Sequence, residues 1–427
     1  GRILSMTETK TFAVITLGCK LNYAESATIA RDFLRQGYER VNPSKKADVY
    51  LINTCSVTEH ADKKSRQAIR KVLRINPSAY VVVTGCSAQL RPETLGSIPG
   101  VCALFGTGYR DRIVGVTQDL QKGNVLLSPS ETETGFFRAY SAGENNKDRT
   151  RSFLKVQDGC DYHCAYCTVP LARGKSRNIP IADVVSQARE IASRGVREIV
   201  LTGVNTGDFG KTTGESFTEL LDALSEVQGI DRYRISSIEP NLLTDEIIQM
   251  IAGNSRFLPH FHIPLQSGSD MVLRKMGRRY DTSVFAHKVR YIHDLMPCAF
   301  IGVDVIAGFP GETEDAFRQT YDLLEELRPS FLHVFPFSVR PGTRAASFPV
   351  NERIQDGIIT RRAHELGELS EQLYRDFILA NKGRHEEVLF EGKTRDGKMH
   401  GYTRNYIRVE RPYERSLINR VVDVILE

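Results

Sequence analysis

The chain contains no tryptophan. It also lacks any apolar run near the roughly 18–20 residues of a membrane-spanning helix, so no such span is expected. Nothing in it reads as a secretory signal, and Gly1–Ser5, ahead of Met6, read as a cloning remnant without fold information. Cysteine is scarce: eight in 427 residues is too few for a disulfide scaffold. A reducing cytoplasm, with thiols kept free for metal or catalysis, is the expected setting. There is no internal repeat and no low-complexity tract. Neither sign of charge dominates, since 57 Lys and Arg face 52 Asp and Glu for a net +5. That mild basicity permits an acidic partner such as nucleic acid without requiring one. Hydrophobic residues at 41% and charged residues at 26% indicate soluble globular domains, and the length suggests two or three of them.

The organisation follows from periodicity. Phe12–Leu17, Val49–Ile52 and Tyr80–Thr84 read as buried strands, with helices expected over Ala24–Arg35 and His60–Arg74. This alternation predicts a small parallel sheet with covering helices, a Rossmann-like α/β domain over 11–125. The composition turns polar between Gln121 and Arg151, and 126–151 is expected to be a linker. Alternation then resumes, with strands expected to begin at Phe153, Glu198, Arg234, Phe261, Phe300 and Phe331. Helices are expected over Ala182–Arg194, Ser283–Leu295 and Asp315–Leu327. Six βα units suit part of a parallel TIM barrel, a (β/α)6 arrangement, which with a trailing helix over Asn351–Leu379 fills 152–378. Beyond it, Glu386–Glu391, His400–Glu410 and Asn419–Glu427 alternate at period two, predicting a small OB-like β-barrel over 379–427.

Six of the cysteines are expected to carry chemistry. Cys160, Cys164 and Cys167 stand in GCDYHCAYC, a C-x3-C-x2-C cluster whose thiolates can wrap one small metal centre on a loop. All-sulfur ligation favours zinc or iron–sulfur. A structural zinc would need a fourth ligand, and His163, the local candidate, sits awkwardly beside Cys164. A four-iron cubane on three cysteines instead leaves one iron open to a substrate or cofactor. Cys19, Cys55 and Cys86 each fall just past the carboxyl end of an expected parallel strand, where they could converge as a second metal site. Cys102 and Cys298 fit neither pattern and are expected in the core.

The C-x3-C-x2-C loop after the first strand of a βα series resembles the signature of radical S-adenosylmethionine (SAM) enzymes. The wider string QDGCDYHCAYCTVPLARGKSR resembles their methylthiotransferase branch, and the resemblance runs from Thr11 onward. It implies a SAM-cleaving 4Fe–4S cluster on Cys160, Cys164 and Cys167, and a second, auxiliary 4Fe–4S cluster on Cys19, Cys55 and Cys86. The loops LTGVNTG, SSIEP, HIPLQSG and GVDVIAGFPGE follow or span barrel strands, and by resemblance surround SAM. The residues implied are Thr202, Gly203, Asn205, Ser237, Glu239, Gln266 and Asp304, with Tyr166 near the adenine. Thr202–Gly203 departs from the Gly-Gly-Glu run of many relatives, which leaves the methionine amine to backbone or Asn205.

From Lys393 to Arg415 seven basic residues face three acidic ones, with Tyr402, Tyr406 and Tyr413 among them. Basic residues interleaved with aromatics suit single-stranded nucleic acid. The position resembles the RNA-binding TRAM domain of tRNA-modifying members, which implies Arg404, Tyr406 and Arg408 as RNA contacts, joined by Arg173, Lys175 and Arg177 past the cluster motif. The strings GCKLNYAES and ARGKSR look like the branch acting on N6-threonylcarbamoyladenosine at position 37 of tRNA. Other branches act on isopentenyladenosine or on an aspartate of a ribosomal protein. The resemblance implies two uses of SAM: one as methyl donor to sulfur on the auxiliary cluster, one as source of a 5′-deoxyadenosyl radical that removes hydrogen from C2 of the base. It implies as partners the anticodon stem-loop, an electron donor such as flavodoxin or ferredoxin, and a sulfur donor. A sulfur-inserting enzyme acting on a protein, and an iron–sulfur carrier or RNA-binding module without catalysis, are the competing classes. The Gly-rich loops after an open-iron motif speak against a carrier.

Overall fold

The computed structural model describes residues 9–118, 126–127, 135–142 and 150–427. The residues before Met6, and most of the expected linker, lie outside the described residues. The chain divides into two units: the residues up to Ser141 together with Thr168–Lys175, and Ala142–Cys167 together with Ser176–Glu427.

The first unit is built on a parallel sheet of strands β1 (Thr11–Thr16), β2 (Glu39–Arg40), β3 (Val49–Thr54), β4 (Tyr80–Gly85), β5 (Val101–Leu104) and β6 (Leu126–Leu127). Their order is β2-β1-β3-β4-β5-β6. The β6 pairing falls inside the stretch expected to be linker, so the sheet reaches further along the chain than composition suggests. β3 is buried at every position, because helices cover both faces. On one face Tyr50, Ile52, Val81 and Val83 pack with Ile69 and Val72 of the helix Glu59–Ile75. That helix starts where Thr58 accepts a hydrogen bond from the Ala61 amide at 3.0 Å, and Glu59 and Asp62 in its first turn favour its dipole. On the other face Phe12 stacks on Phe33 at 4.8 Å, from the helix Lys20–Arg35. The chain order reverses between β1 and β3, and at such a switch point loops part to leave a crevice at the carboxyl ends of the strands.

The second unit holds a run of parallel strands: β7 (Arg151–Lys155), β10 (Glu198–Thr202), β11 (Arg232–Ile235), β12 (His260–Gln266), β13 (Phe300–Ala307) and β14 (Phe331–Pro336). A two-stranded ribbon of β8 (Gln157–Asp158) and β9 (Arg177–Asn178) flanks the cysteine loop. β7-β10-β11 and β12-β13-β14 are joined through parallel bridges at Tyr233–Phe257 and Ser237–His262. Strand order therefore follows chain order, as expected of six βα units, and among the described residues β7 and β14 do not pair. Intervening helices include Ile181–Ser193, Thr282–Leu295 and Glu314–Leu327, and the trailing helix is Asp356–Asn381. Alternation decides which side chains face inward. In β13 Ile301, Val303 and Val305 are fully buried toward the helices, while Asp304 is the one half-buried residue of the strand.

The C-terminal sheet is antiparallel, with order β17-β16-β15-β18: β15 (His385–Arg395), β16 (Lys398–Thr403), β17 (Arg408–Pro412) and β18 (Val421–Ile425). The stretch His400–Glu410, one of three expected to supply three or more short strands in all, divides between β16 and β17. It turns at Tyr406, whose φ of 68° ends the pairing, while Thr403 and Asn405 bond side chain to side chain at 2.6 Å. Among the described residues no helix is long and apolar enough to cross a membrane.

Candidate active site

The first cysteine triad sits at the carboxyl edge of the N-terminal sheet. Cys19 caps the helix Lys20–Arg35 after β1, Cys55 follows β3 directly, and Cys86 opens the helix Cys86–Leu90 after β4. β1, β3 and β4 are neighbours, so the three loops meet beside the switch point. Gly18 makes this approach possible: at φ 94°, a Cβ there would lie 2.9 Å from Cys55 Cβ and 3.0 Å from its Sγ. The Cys55 carbonyl is held by Ser87 Oγ at 2.7 Å and Ser65 Oγ at 3.3 Å. Burial, aided by the neighbouring charges of Cys86 and Cys19, pushes the Cys55 thiol up to about 12, against the opposing pull of the Val57 amide and Arg173. Thiols in this state hold their protons until a metal replaces them.

Arg173 was expected on an RNA-binding mouth. It is instead buried in the same unit, donating to Glu25 at 2.8 Å and to Asn22 at 2.7 Å. Arg110 pairs with the other oxygen of Glu25. The correction has a plain cause: Glu25 on the first helix cannot be buried without cationic partners, and Arg173 supplies one from 148 residues away. Arg177 is likewise buried, 3.5 Å from Asp158, which Lys155 also pairs at 2.6 Å. Lys175 is exposed.

The second triad lies on the loop after β8. Cys164 is buried, while Cys160 and Cys167 are half-buried. The loop is fixed along its backbone. Gln157 donates to the Asp158 and Gly159 carbonyls at 3.0 and 2.7 Å, the Ala165 amide donates to the Met276 carbonyl at 2.8 Å, and the Ala345 amide to the Ala165 carbonyl at 2.8 Å. Burial raises the Cys160 thiol to about 11, with the charge of Cys164 adding to it and the Tyr162 amide opposing.

Arg278 escaped the sequence reading. It donates to Cys164 Sγ and to the Tyr166 hydroxyl, each at 3.0 Å, to Glu239 at 2.8 Å and to the Tyr280 hydroxyl at 3.0 Å. The one guanidinium thus ties the cysteine loop to the loop after β11. Its only sequence signal was a basic pair, Arg278–Arg279, after a helix-ending glycine. Burial raises Glu239 above the ordinary carboxylate range even though Arg278 pulls the other way.

The remaining expected ligand residues divide. Thr202 and Asn205 are buried, and Thr202 Oγ1 and both amide atoms of Asn205 have no hydrogen-bond partner. Gly203 lies against Gln157, where a Cβ would meet the backbone oxygen at 2.9 Å, and Gln157 Oε1 accepts from the backbone N–H of Asn205 at 2.8 Å. The Ser237 carbonyl accepts from Thr206, and Glu239 and Tyr166 converge on Arg278. Gln266 ends β12 at φ 70°, a conformation that costs a non-glycine residue about 1 kcal/mol or more. Asp304 stands lower, in mid-strand, paired with His262.

Arg404 and Tyr406 fix the C-terminal sheet to the amino-terminal end of the barrel. Arg404 donates to the Ser255 and Phe257 carbonyls at 3.0 and 3.2 Å. The Tyr406 ring packs against His260 and Phe300, with the Arg234 guanidinium 4.4 Å from its centroid. Arg408 is exposed beside Glu410. Of the two spare cysteines, Cys102 is buried in β5, whereas Cys298 is half-buried and lines a cleft with Arg384 and Arg404.

Comparison with known proteins decides the family. Residues 11–106 match the model of an uncharacterized protein family, UPF0004, and residues 154–324 that of the radical SAM superfamily. A threonylcarbamoyladenosine tRNA methylthiotransferase, MtaB, of Bacillus subtilis (strain 168) is 38% identical over 97% of this chain and 93% of its own length. That of Thermotoga maritima is 36% identical over 94% and 91%. The chain belongs to the radical SAM tRNA methylthiotransferases. A tRNA-2-methylthio-N(6)-dimethylallyladenosine synthase of Alkaliphilus oremlandii is 30% identical over 99% of this chain and 91% of its own. Among solved structures, the radical SAM methyltransferase TsrM of Kitasatospora setae shares the fold at a TM-score of 0.58 and 14% identity, covering 79% of this chain and 77% of that one.

Membership in this methylthiotransferase family implies SAM and a 4Fe–4S cluster. The residues present fit both. Three free cysteines stand on one pinned loop, and the orphaned polar atoms of Thr202 and Asn205 are what a polar ligand would satisfy.

Proposed function

We propose that this methylthiotransferase adds a methylthio group to C2 of N6-threonylcarbamoyladenosine at position 37 of tRNA. The observation that carries the reading is the full-length similarity, at 32–38% identity, to threonylcarbamoyladenosine tRNA methylthiotransferases of five bacteria, four of them at 34% or above. Dimethylallyladenosine synthases match at 30–32%. Two clusters are part of the proposal, one on Cys160, Cys164 and Cys167 and an auxiliary one on Cys19, Cys55 and Cys86. Convergence of Cys19, Cys55 and Cys86 at a switch-point crevice supports the auxiliary one. When bound, the cluster and SAM supply a radical able to remove hydrogen from carbon.

The chain's own residues hold and screen that chemistry. Arg278 places Tyr166 and Glu239 around Cys164, so the loop and the ligand wall are set together. Asn205 and Thr202 offer donors and acceptors to SAM from the end of β10. The RNA face of the C-terminal sheet rests on exposed Lys393, Arg395, Lys398, Arg408 and Arg415, with Tyr413 as a stacking surface. Arg404 and Tyr406 set how that face is carried. An electron donor such as flavodoxin or ferredoxin and a separate sulfur donor complete the partners.

The test uses the reconstituted enzyme with SAM, a reductant and two tRNAs, one bearing threonylcarbamoyladenosine and one isopentenyladenosine. Methylthiolation of the first alone supports the reading. Methylthiolation of the second alone moves the enzyme to the other branch.

A further inference from the structure

Three potential metal ligands lie together inside the barrel, apart from the six cysteines. They are His262 on β12, Asp304 on β13 and His333 on β14. One donor atom from each falls within 4.8 Å of the other two. The placement follows from strand register. Asp304 is paired directly with His333, and His262 is paired with Gly302, two residues before Asp304 and therefore on the same face of β13. These three strands are neighbours, so the side chains rise from one patch of the inner wall. His262 Nε2 and Asp304 Oδ1 are 2.6 Å apart, and the His262 and His333 rings are 5.0 Å apart at a tilt of 33°. His333 Nε2 lies beside Gly302, in ordinary contact distance, 3.6 Å, of where a Cβ there would stand.

From this we infer that His262, Asp304 and His333 form a binding site for a divalent first-row transition ion. Two imidazoles and one carboxylate are a borderline donor set, suited to zinc or iron(II) and poorly suited to magnesium or calcium, which prefer oxygen ligands throughout. Bonds of about 2.0–2.2 Å would set the three donors about 3–3.5 Å from one another. The His262–Asp304 pair, at 2.6 Å, opens slightly, while the His333 donor closes in from within 4.8 Å. The His262–Asp304 hydrogen bond then gives way to two metal bonds: a neutral His262 shifts its proton to Nδ1, and an imidazolium releases one proton to solvent. None of the three is fully buried: His262 and Asp304 keep 27% and 18% of their side-chain surface exposed. Ligands from one wall leave the other coordination positions directed into the barrel, open to water or an oxygen donor on a bound molecule.

The experiment is equilibrium dialysis of the cluster-reconstituted protein against zinc, followed by metal analysis, on wild type, Asp304→Asn, His333→Gln and Cys160→Ala. The wild type and Cys160→Ala are expected to retain about one zinc per chain at this site, while Asp304→Asn and His333→Gln bind at least about tenfold more weakly with iron content unchanged. His262→Gln stands in for either variant if that variant loses iron or structure. Zinc retained equally by wild type and both ligand variants, or not retained by wild type, overturns the assignment and leaves a hydrogen-bonded polar cluster only.

Discussion

Arg278 donates to the Sγ of Cys164 across 3.0 Å, joining the cysteine loop to a residue 114 positions further along the chain. The same guanidinium holds Glu239 at 2.8 Å, so a change in one wall of the site is felt in the other. Hydrogen bonds to charged groups contribute about 1.5–3 kcal/mol each. Arg278→Met is therefore expected to lower kcat/KM for SAM cleavage by roughly ten- to a hundredfold. Iron content should stay near wild type, because the three cysteines remain. Measuring 5′-deoxyadenosine formation alongside iron separates the two, and unchanged cleavage would remove Arg278 from the site.

Gly18 governs the other triad. Gly18→Ala places a Cβ 3.0 Å from Cys55 Sγ and forces a residue with a side chain into φ 94°. Strain of about 1–2 kcal/mol is expected from the backbone alone. The predicted outcome is loss of roughly half the bound iron, with SAM cleavage retained. A variant that keeps its full iron would show that the auxiliary site does not depend on the close approach at Gly18.

Glu198 is the acid-labile point of the barrel. It is fully buried between Arg151, Arg232 and Arg234, and register sets it opposite both Arg151 and Arg232. Burial alone would raise its pKa, but Arg234, Arg151 and Arg232 outweigh that and bring it down to about 2. Burial also lowers Arg232 and Arg234, yet guanidinium groups stay charged throughout the accessible range. Because the carboxylate is depressed in the folded state, its contribution is complete above the ordinary value near 4.5 and fades as pH falls toward 2. Glu198→Gln should cost about 3 kcal/mol at neutral pH, and the difference from wild type should shrink across that acid window. Denaturant midpoints of both proteins from pH 6 downward check this, and a pH-independent difference would contradict it.

On the C-terminal sheet, exposed and docking residues should separate. Replacing Lys393, Arg395 and Lys398 together with glutamine is expected to weaken tRNA binding and reduce the salt slope by about one per residue, with little change in melting temperature. Arg404→Ala should lower thermal stability, because two carbonyls of the barrel lose their donor. Titrations at several salt concentrations, with melting curves, distinguish these. Equal slopes in wild type and triple variant would remove that face from RNA binding.

The parts of the site that were legible in the sequence are those fixed by short spacing or by strand ends. Cys160, Cys164 and Cys167 declare themselves within eight residues, and Cys19, Cys55 and Cys86 each follow an apolar β-branched run. What was hidden depends on partners far along the chain. Arg173 looks like a surface base until Glu25 is found beside it, and Arg278 carries no periodic signature. Tyr406 reads as an RNA-stacking residue, although its ring is spent on His260 and Phe300. β2, β5 and β6 are short, and without them the switch point beside the first triad could not be placed.

The substrate is read out by nucleoside mass spectrometry of tRNA from cells lacking this protein. In those cells the methylthio form of threonylcarbamoyladenosine should disappear and its unmodified parent accumulate, and re-expression should restore it while Cys160→Ala does not. Persistence of the methylthio form would assign the chain to another substrate.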